Sequence, residues 1–136
     1  MDIGIIGGSG YTGGELMRLL SQHPEAHIKA VTSRNKKGQN ISDIHAHLRK
    51  IFDIGFEDIA PEEVASRCDI VFTAVPHGSA MQVVPALIDA GIKVIDLSAD
   101  YRLKTDVFEN TYKLKHTDPR EAVYGIPELH PEVMSQ

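Results

Sequence analysis

The sequence holds one cysteine, Cys68, in 136 residues. A single thiol excludes an internal disulfide framework and fits a reducing compartment. Basic residues are not in excess: 14 Lys and Arg stand against 19 Asp and Glu, for a net charge of −5. That balance gives no support to nucleic-acid binding or to an anionic membrane surface, both of which favour a basic face. Long apolar runs are missing too, since none approaches the roughly 20 residues of a membrane span. The first residues lack the basic-then-apolar pattern of a secretory signal, so the sequon Asn40-Ile41-Ser42 is read as idle. Ligand pairs at metal spacing are scarce. His45 and His47 form an isolated H-x-H, while His116 and His130 fall in separate segments, and no metal site is expected. Internal repeats and low-complexity tracts are absent.

What is present suits one compact α/β domain in the cytoplasm. The chain is 42% hydrophobic and 24% charged, the balance of a globular protein able to bury a core. It opens with "DIGIIGGSGYTGGEL", in which residues 2–6 read as a strand buried on both faces. Leu16, Leu19 and Leu20 then recur at helical spacing, and His23-Pro24 closes that helix. "HIKAVTSR" (27–34) predicts a second strand, "NKKGQNIS" a polar loop, and "SDIHAHLRKIF" (42–52) a helix with Ser42 as its N-cap.

The second half repeats the alternation. "APEEVASR" (60–67) carries Pro and acids in a first helical turn, and "CDIVFTAVP" (68–76) is a continuous apolar strand closed by proline. In "GSAMQVVPALIDAG" (78–91) Ala80, Val83, Val84, Leu87 and Ile88 share one helical face, and Gly91 caps the end. Pro85 either kinks that helix or marks a late start. "IKVIDLSAD" (92–100) is a further strand, and from Tyr101 to Gln136 the pattern dissolves into turn residues, charges and short apolar patches. Strand and helix in strict alternation imply parallel pairing and right-handed crossovers, hence a Rossmann-like doubly wound sheet. Ligands of such sheets bind at the carboxyl ends of the strands.

Three segments fall at those ends. Gly7, Gly10 and Gly13 give G-x-x-G-x-x-G between the first strand and the first helix. Glycine lets backbone approach a pyrophosphate, which the free N–H groups and dipole of a helix start stabilise. Ser9 and Thr12 add hydroxyls and Tyr11 is placed to pack beside the nucleotide; the competing reading is a turn that needs glycine for steric reasons alone. After the second strand an NAD site offers a carboxylate about 20 residues beyond the glycines. This chain has Thr32, Ser33, Arg34, Asn35, Lys36 and Lys37 there instead. A cationic loop without an acid favours a 2′-phosphate, hence NADP, over the alternative of a merely solvated basic loop. Pro76 and His77 follow the third strand and should line the cofactor cleft. Arg102, in the loop with Asp96, Ser98 and Asp100, clamps an anionic substrate or forms a surface ion pair. Cys68, just ahead of a buried strand, reads as a small core residue and not as a nucleophile.

Four stretches together resemble the N-terminal part of the N-acetyl-γ-glutamyl-phosphate reductase family: "GGSGYTGGEL" at 7–16, "FTAVPHGSA" at 72–80, "VIDLSADYRL" at 94–103 and "YGIPEL" at 124–129. The related aspartate-semialdehyde dehydrogenases share the opening loop but differ more in the later segments. The resemblance implies a cytoplasmic NADPH-dependent reductase of arginine biosynthesis. In it a cysteine thiolate attacks an acyl phosphate and the resulting thioester is reduced to a semialdehyde. It further implies that Ser9, Gly10, Tyr11 and Thr12 hold the pyrophosphate, that Ser33 and Arg34 hold the 2′-phosphate, and that Pro76 and His77 lie near the nicotinamide. Arg102 resembles the arginine that binds substrate phosphate in the sister dehydrogenases; Glu128 receives no role.

The family's nucleophile lies in an N-P-G-C-type segment past "YGIPEL", and its catalytic His lies later still. Both are therefore expected beyond Gln136, and no catalytic residue is expected within residues 1–136. These should form one NADP-binding domain, inactive alone, of a homo-oligomeric parent roughly twice this length or more. Two alternatives stay open. One is a relative acting on carrier-protein-linked glutamyl or aminoadipyl phosphate in lysine or arginine synthesis. The other is a non-catalytic NADP-binding sensor, which "LSADYR" and "YGIPE" disfavour.

Overall fold

The computed structural model describes residues 1–129 and 131. His130 and residues Glu132 to Gln136 lie outside the described residues. The nucleophilic cysteine and the catalytic histidine, expected beyond Gln136, likewise lie outside the described residues.

Four parallel strands form one sheet: β1 (Asp2–Ile6), β2 (His27–Thr32), β3 (Ile70–Thr73) and β4 (Lys93–Asp96), in spatial order β2-β1-β3-β4. Helix α1 (Tyr11–Leu20) connects β1 to β2, and the chain then crosses β1 to reach β3 through α2 (Ile41–Ile44) and α3 (Pro61–Arg67). Helix α4 (Val84–Asp89) leads to β4, and α5 (Thr105–Tyr112) follows it. The order reverses between β1 and β3, which makes their carboxyl ends the switch point of a doubly wound sheet.

Period-two alternation in β1 distributes the core. Ile3 and Ile5 pack with Met17 of α1 and with Val31, Ile41, Leu48 and Phe56 on one face. Ile6 on the other face joins Ala30, Val64, Cys68, Val71, Val83 and Leu87. Burying each large aliphatic contributes about 1.5–3 kcal/mol, the dominant favourable term of the sheet. Within α1 the fully buried side chain is Met17, whereas Leu19 is 53% exposed; Leu16 and Leu20 pack only at the edge of the cluster.

The expected elements are present with shorter bounds. Strand β2 stops at Thr32, not Arg34, because Arg34–Lys36 turn into a single 3₁₀ turn. The helix expected over 42–52 is broken into α2 and a 3₁₀ turn at Ala46–Leu48, and Asn40, not Ser42, holds the cap position. Asn40 bridges Gly55 and Ile41 N–H donates to the Ile54 carbonyl, so the chain stays extended up to Ile41. At the far end His45 leaves helical geometry (φ −113°, ψ 81°). Pro85 marks a late start: a 3₁₀ turn at Ala80–Gln82 precedes α4, with Pro85 in its first turn. Ile88, placed on the apolar face by periodicity, is 41% exposed because it lines an open cleft, while Val84 and Leu87 are buried. Gly91 (φ +78°) closes α4 as a Schellman motif, with Gly91 N–H on the Ile88 carbonyl and Ile92 N–H on that of Leu87.

The region after Tyr101 is more ordered than its composition suggests. Phe108 of α5 is fully buried beside Met81 and Ala99, and Lys113 in the left-handed region (φ +56°) ends the helix. One buried carboxylate ties this cluster to the loop after β3. Asp100 accepts from Gly78 N–H at 2.7 Å and Met81 N–H at 3.1 Å, while its carbonyl meets His116 Nε2 at 2.7 Å. Asp100→Ala leaves the buried Met81 N–H and the half-buried Gly78 N–H without partners and should lower stability by about 1–3 kcal/mol in urea unfolding. An unchanged midpoint would show that the β3 and β4 loops are held by packing alone.

Candidate functional site: a nucleotide cleft at the switch point

A cleft of about 960 Å³ opens where β1, β2 and β3 end. Gly7, Ser9, Gly10 and Thr12 line it from the first loop, Ser33, Arg34 and Asn35 from the end of β2, and Pro76 and His77 from the end of β3. Nine of the eleven residues expected to bind cofactor thus share one concavity. The other two do not. Tyr11, at the first position of α1, is 98% exposed and does not line the cleft. Gly13 lies behind the loop, where a Cβ would meet Gly8 Cα at 2.6 Å and Gly8 O at 2.7 Å. Its role is to let α1 close onto the loop.

Gly10 differs from Gly13 in a way that bears on ligand binding. It is the N-cap of α1 with ordinary extended dihedrals (φ −82°, ψ 171°), and a Cβ there would meet nothing within 4 Å. The protein itself has no need of glycine at this position; the open space faces the cleft. Helix α1 has no side-chain cap and no acid in its first turn, so its leading N–H groups and positive dipole end are left for an anion.

The loop is fixed from the β2 side. Gly7 N–H and Gly8 N–H both donate to the Thr32 carbonyl, at 3.1 and 3.0 Å. Ser33, buried at 7% exposure, donates through Oγ to Ser9 Oγ at 2.8 Å. The Ser9 hydroxyl keeps its own proton for an acceptor in the cleft. Arg34 is exposed at the rim and forms no ion pair among the described residues, which leaves its guanidinium fork available.

Sequence reasoning misses the wall formed by Asp58, Ile59 and Pro61. Glu57 pairs with the end of β2, its N–H on the Val31 carbonyl and its own carbonyl accepting from Ser33 N–H. That pairing delivers Asp58 to the wall of the cleft that Arg34 also lines. A carboxylate therefore does reach the site, from a residue well beyond the segment where the sequence suggests looking. Pro61 at the start of α3 is the available signal, since it marks the turn back toward the sheet.

At the far side His77 accepts from Ala99 N–H through Nδ1 at 3.0 Å and leans on the Tyr112 ring at 5.0 Å. The neutral ring then carries its proton on Nε2. Asp96 and Ser98 are spent on structure: Asp96 accepts from Thr73 Oγ1 at 2.6 Å and from Ser98 Oγ at 2.7 Å. Arg102 lies elsewhere, in a second cleft of about 670 Å³ between β4 and residues 120–127. Among the described residues it makes no ion pair; it donates to the Ser98 carbonyl at 3.3 Å and sits over the Tyr124 ring at 5.6 Å. Cys68 is part of the core, and its burial, helped by Asp2 and Asp69, pushes the thiol pKa up. A thiol held protonated is no nucleophile.

The family model described as semialdehyde dehydrogenase, NAD binding domain, matches residues 2–136. The chain belongs to that family. This NAD-binding domain is similar to proteins named N-acetyl-gamma-glutamyl-phosphate reductase. It is 64% identical over 133 residues to the one from Methanothrix thermoacetophila, covering 98% of this chain and 39% of the relative. Against the one from Archaeoglobus fulgidus it is 53% identical over 133 residues, covering 97% and 40%. The chain therefore spans about two fifths of these curated relatives. Among solved structures, aspartate semialdehyde dehydrogenase with NADP from Candida albicans superposes with a TM-score of 0.65 at 27% identity. That superposition covers 77% of this chain and 31% of the other.

The two glycines separate ligand needs from folding needs. Gly10→Ala should cost about 1 kcal/mol of stability or less, the scale of a cap change, yet weaken NADPH measurably by calorimetry. Gly13→Ala should destabilise by about 1–3 kcal/mol through overpacking against Gly8. Reversal of that order in thermal unfolding would contradict the assignment.

Proposed function

We propose that this chain is the cofactor-binding domain of an NADPH-dependent reductase that takes N-acetyl-γ-glutamyl phosphate to its semialdehyde in arginine biosynthesis. The observation that carries the reading is the pairing of an uncapped α1 N-terminus with the free guanidinium of Arg34 across one cleft, in a chain 64% identical to a protein of that name. The residues present fit the cofactor. Gly10 leaves room for a diphosphate, and the leading amides of α1 with the hydroxyls of Ser9 and Thr12 donate to it. Arg34 serves a 2′-phosphate. Ser33, expected to share that role, has its hydroxyl on Ser9 and its N–H on Glu57 and holds the loop behind Arg34. Asn35 and Asp58 stand beside the adenosine half, and Pro76 and His77 border the nicotinamide half. His77, donating through Nε2, orients polar groups there.

In the whole enzyme a cysteine beyond Gln136 attacks the acyl phosphate, inorganic phosphate leaves, and a thioester remains on sulfur. The cofactor, when bound, would supply the hydride that reduces this thioester, the C–S bond breaking to give the aldehyde and the free cysteine thiolate. This chain's part is to bind and orient, and Cys68, buried away from the cleft, takes no share in the chemistry. Arg102 in the second cleft is assigned to the substrate phosphate. The same reading places the enzyme in the cytoplasm, as a homo-oligomer with a second domain, and this chain alone turns over no acyl phosphate. Assaying the whole enzyme with free and with carrier-protein-linked acyl phosphates tests the choice of the free N-acetylated substrate; a preference for the linked form would replace it.

Arg34→Ala should weaken NADPH binding by about 1.5–3 kcal/mol, the range for hydrogen bonds to a charged group, and leave NADH nearly unchanged. Equal losses for both cofactors in a titration would remove Arg34 from 2′-phosphate recognition.

A further inference from the structure

His45 belongs to no motif of the cofactor site and does not line the cleft, yet it touches the glycine loop from behind. Its ring is buried at 7% exposure, edge-on to Phe56 at 6.2 Å and to His47 at 5.8 Å. Nε2 lies 2.9 Å from the Gly8 carbonyl. A carbonyl only accepts, so Nε2 carries the proton and donates. The fold makes room for this contact at Gly14 of α1, where a Cβ would lie 2.6 Å from His45 Nδ1 and 2.7 Å from Cε1. It also interrupts a helix for it, since α2 stops at His45.

We propose that His45 is a positioning residue for nucleotide binding: by holding the Gly8 carbonyl it aims the Ser9 N–H into the pyrophosphate site. The Gly8–Ser9 peptide is planar and trans, so its C=O and N–H point in opposite directions. Tying the carbonyl to a side chain in the core turns the amide toward the cleft, which Ser9 lines. The two preceding amides, of Gly7 and Gly8, are both taken by Thr32. Ser9 is thus the first amide of the loop released from β2, and His45 sets its direction. Without the donor, the peptide is free to rotate and the Gly8 carbonyl loses its buried partner.

The inference rests on the dinucleotide reading above, and the experiment separates the two. NADPH and adenosine 2′-monophosphate, a probe without the diphosphate, are titrated into the 136-residue chain as wild type, His45→Leu and His45→Gln. His45→Leu should raise the Kd for NADPH about tenfold, the scale of one buried unpaired acceptor, with the Kd for adenosine 2′-monophosphate unmoved. His45→Gln, whose amide donates at similar reach, should restore most of the NADPH affinity. Equal weakening of both ligands, no weakening of NADPH, or no rescue by glutamine would overturn the proposal. Should the leucine variant fail to fold, ¹⁵N spectra of the wild-type ring decide: a proton on Nε2 with a Ser9 amide shifted by NADPH supports it, and a proton on Nδ1 alone overturns it. Wild-type chain that binds neither ligand defeats the dinucleotide reading itself.

Discussion

The Thr32 carbonyl accepts from two consecutive amides, Gly7 N–H at 3.1 Å and Gly8 N–H at 3.0 Å, and everything at the cleft is registered to that bifurcated bond. It fastens the loop after β1 to the last residue of β2, so the start of α1 and the cationic turn at Arg34 cannot drift apart. Ser33 reinforces the joint through Ser9. A helix dipole and a guanidinium contribute little to anion binding when their spacing is loose, because ordering them at the moment of binding costs affinity. Here the spacing is set during folding, by bonds that the ligand does not make.

Glycines around that joint do different work. Gly13 and Gly14 keep α1 close to Gly8 and to the His45 ring, which is packing. Gly10 leaves space that the protein does not fill, which is a provision for something else. On the opposite wall the β3 and β4 loops are braced through Asp100, with His77 held by Ala99 N–H. The cleft is therefore braced on both sides, and the leading amides of α1 meet no capping side chain.

Much of this is legible in the residues. The four strands, their parallel pairing and the glycine turn follow from apolar runs, β-branched content and the alternation of strand with helix, whereas the spatial order β2-β1-β3-β4 comes from the structure. Ser33, Arg34 and His77 can be located because strand ends at a switch point converge whatever the loop details. Other features are hidden for identifiable reasons. Asp58 reaches the cleft by pairing of Glu57 with β2, a long-range contact that no local period encodes. Helix α5 is held by Phe108 alone as its buried residue, too little for a hydrophobic stripe. The expected helix over 42–52 breaks at His45, which leaves helical geometry and bonds the Gly8 carbonyl, a long-range contact that overrides helix propensity. The exposure of Tyr11 is not legible either, because its position in the motif says nothing of which way the first side chain of α1 faces.

Amide chemical-shift perturbation on titrating NADPH into the ¹⁵N-labelled chain tests the central claim most directly. The account predicts the largest shifts at Ser9, Gly10 and Thr12, with a second group at Ser33 and Arg34. Shifts confined to the cleft around Arg102 and Tyr124, with the glycine loop silent, would contradict it.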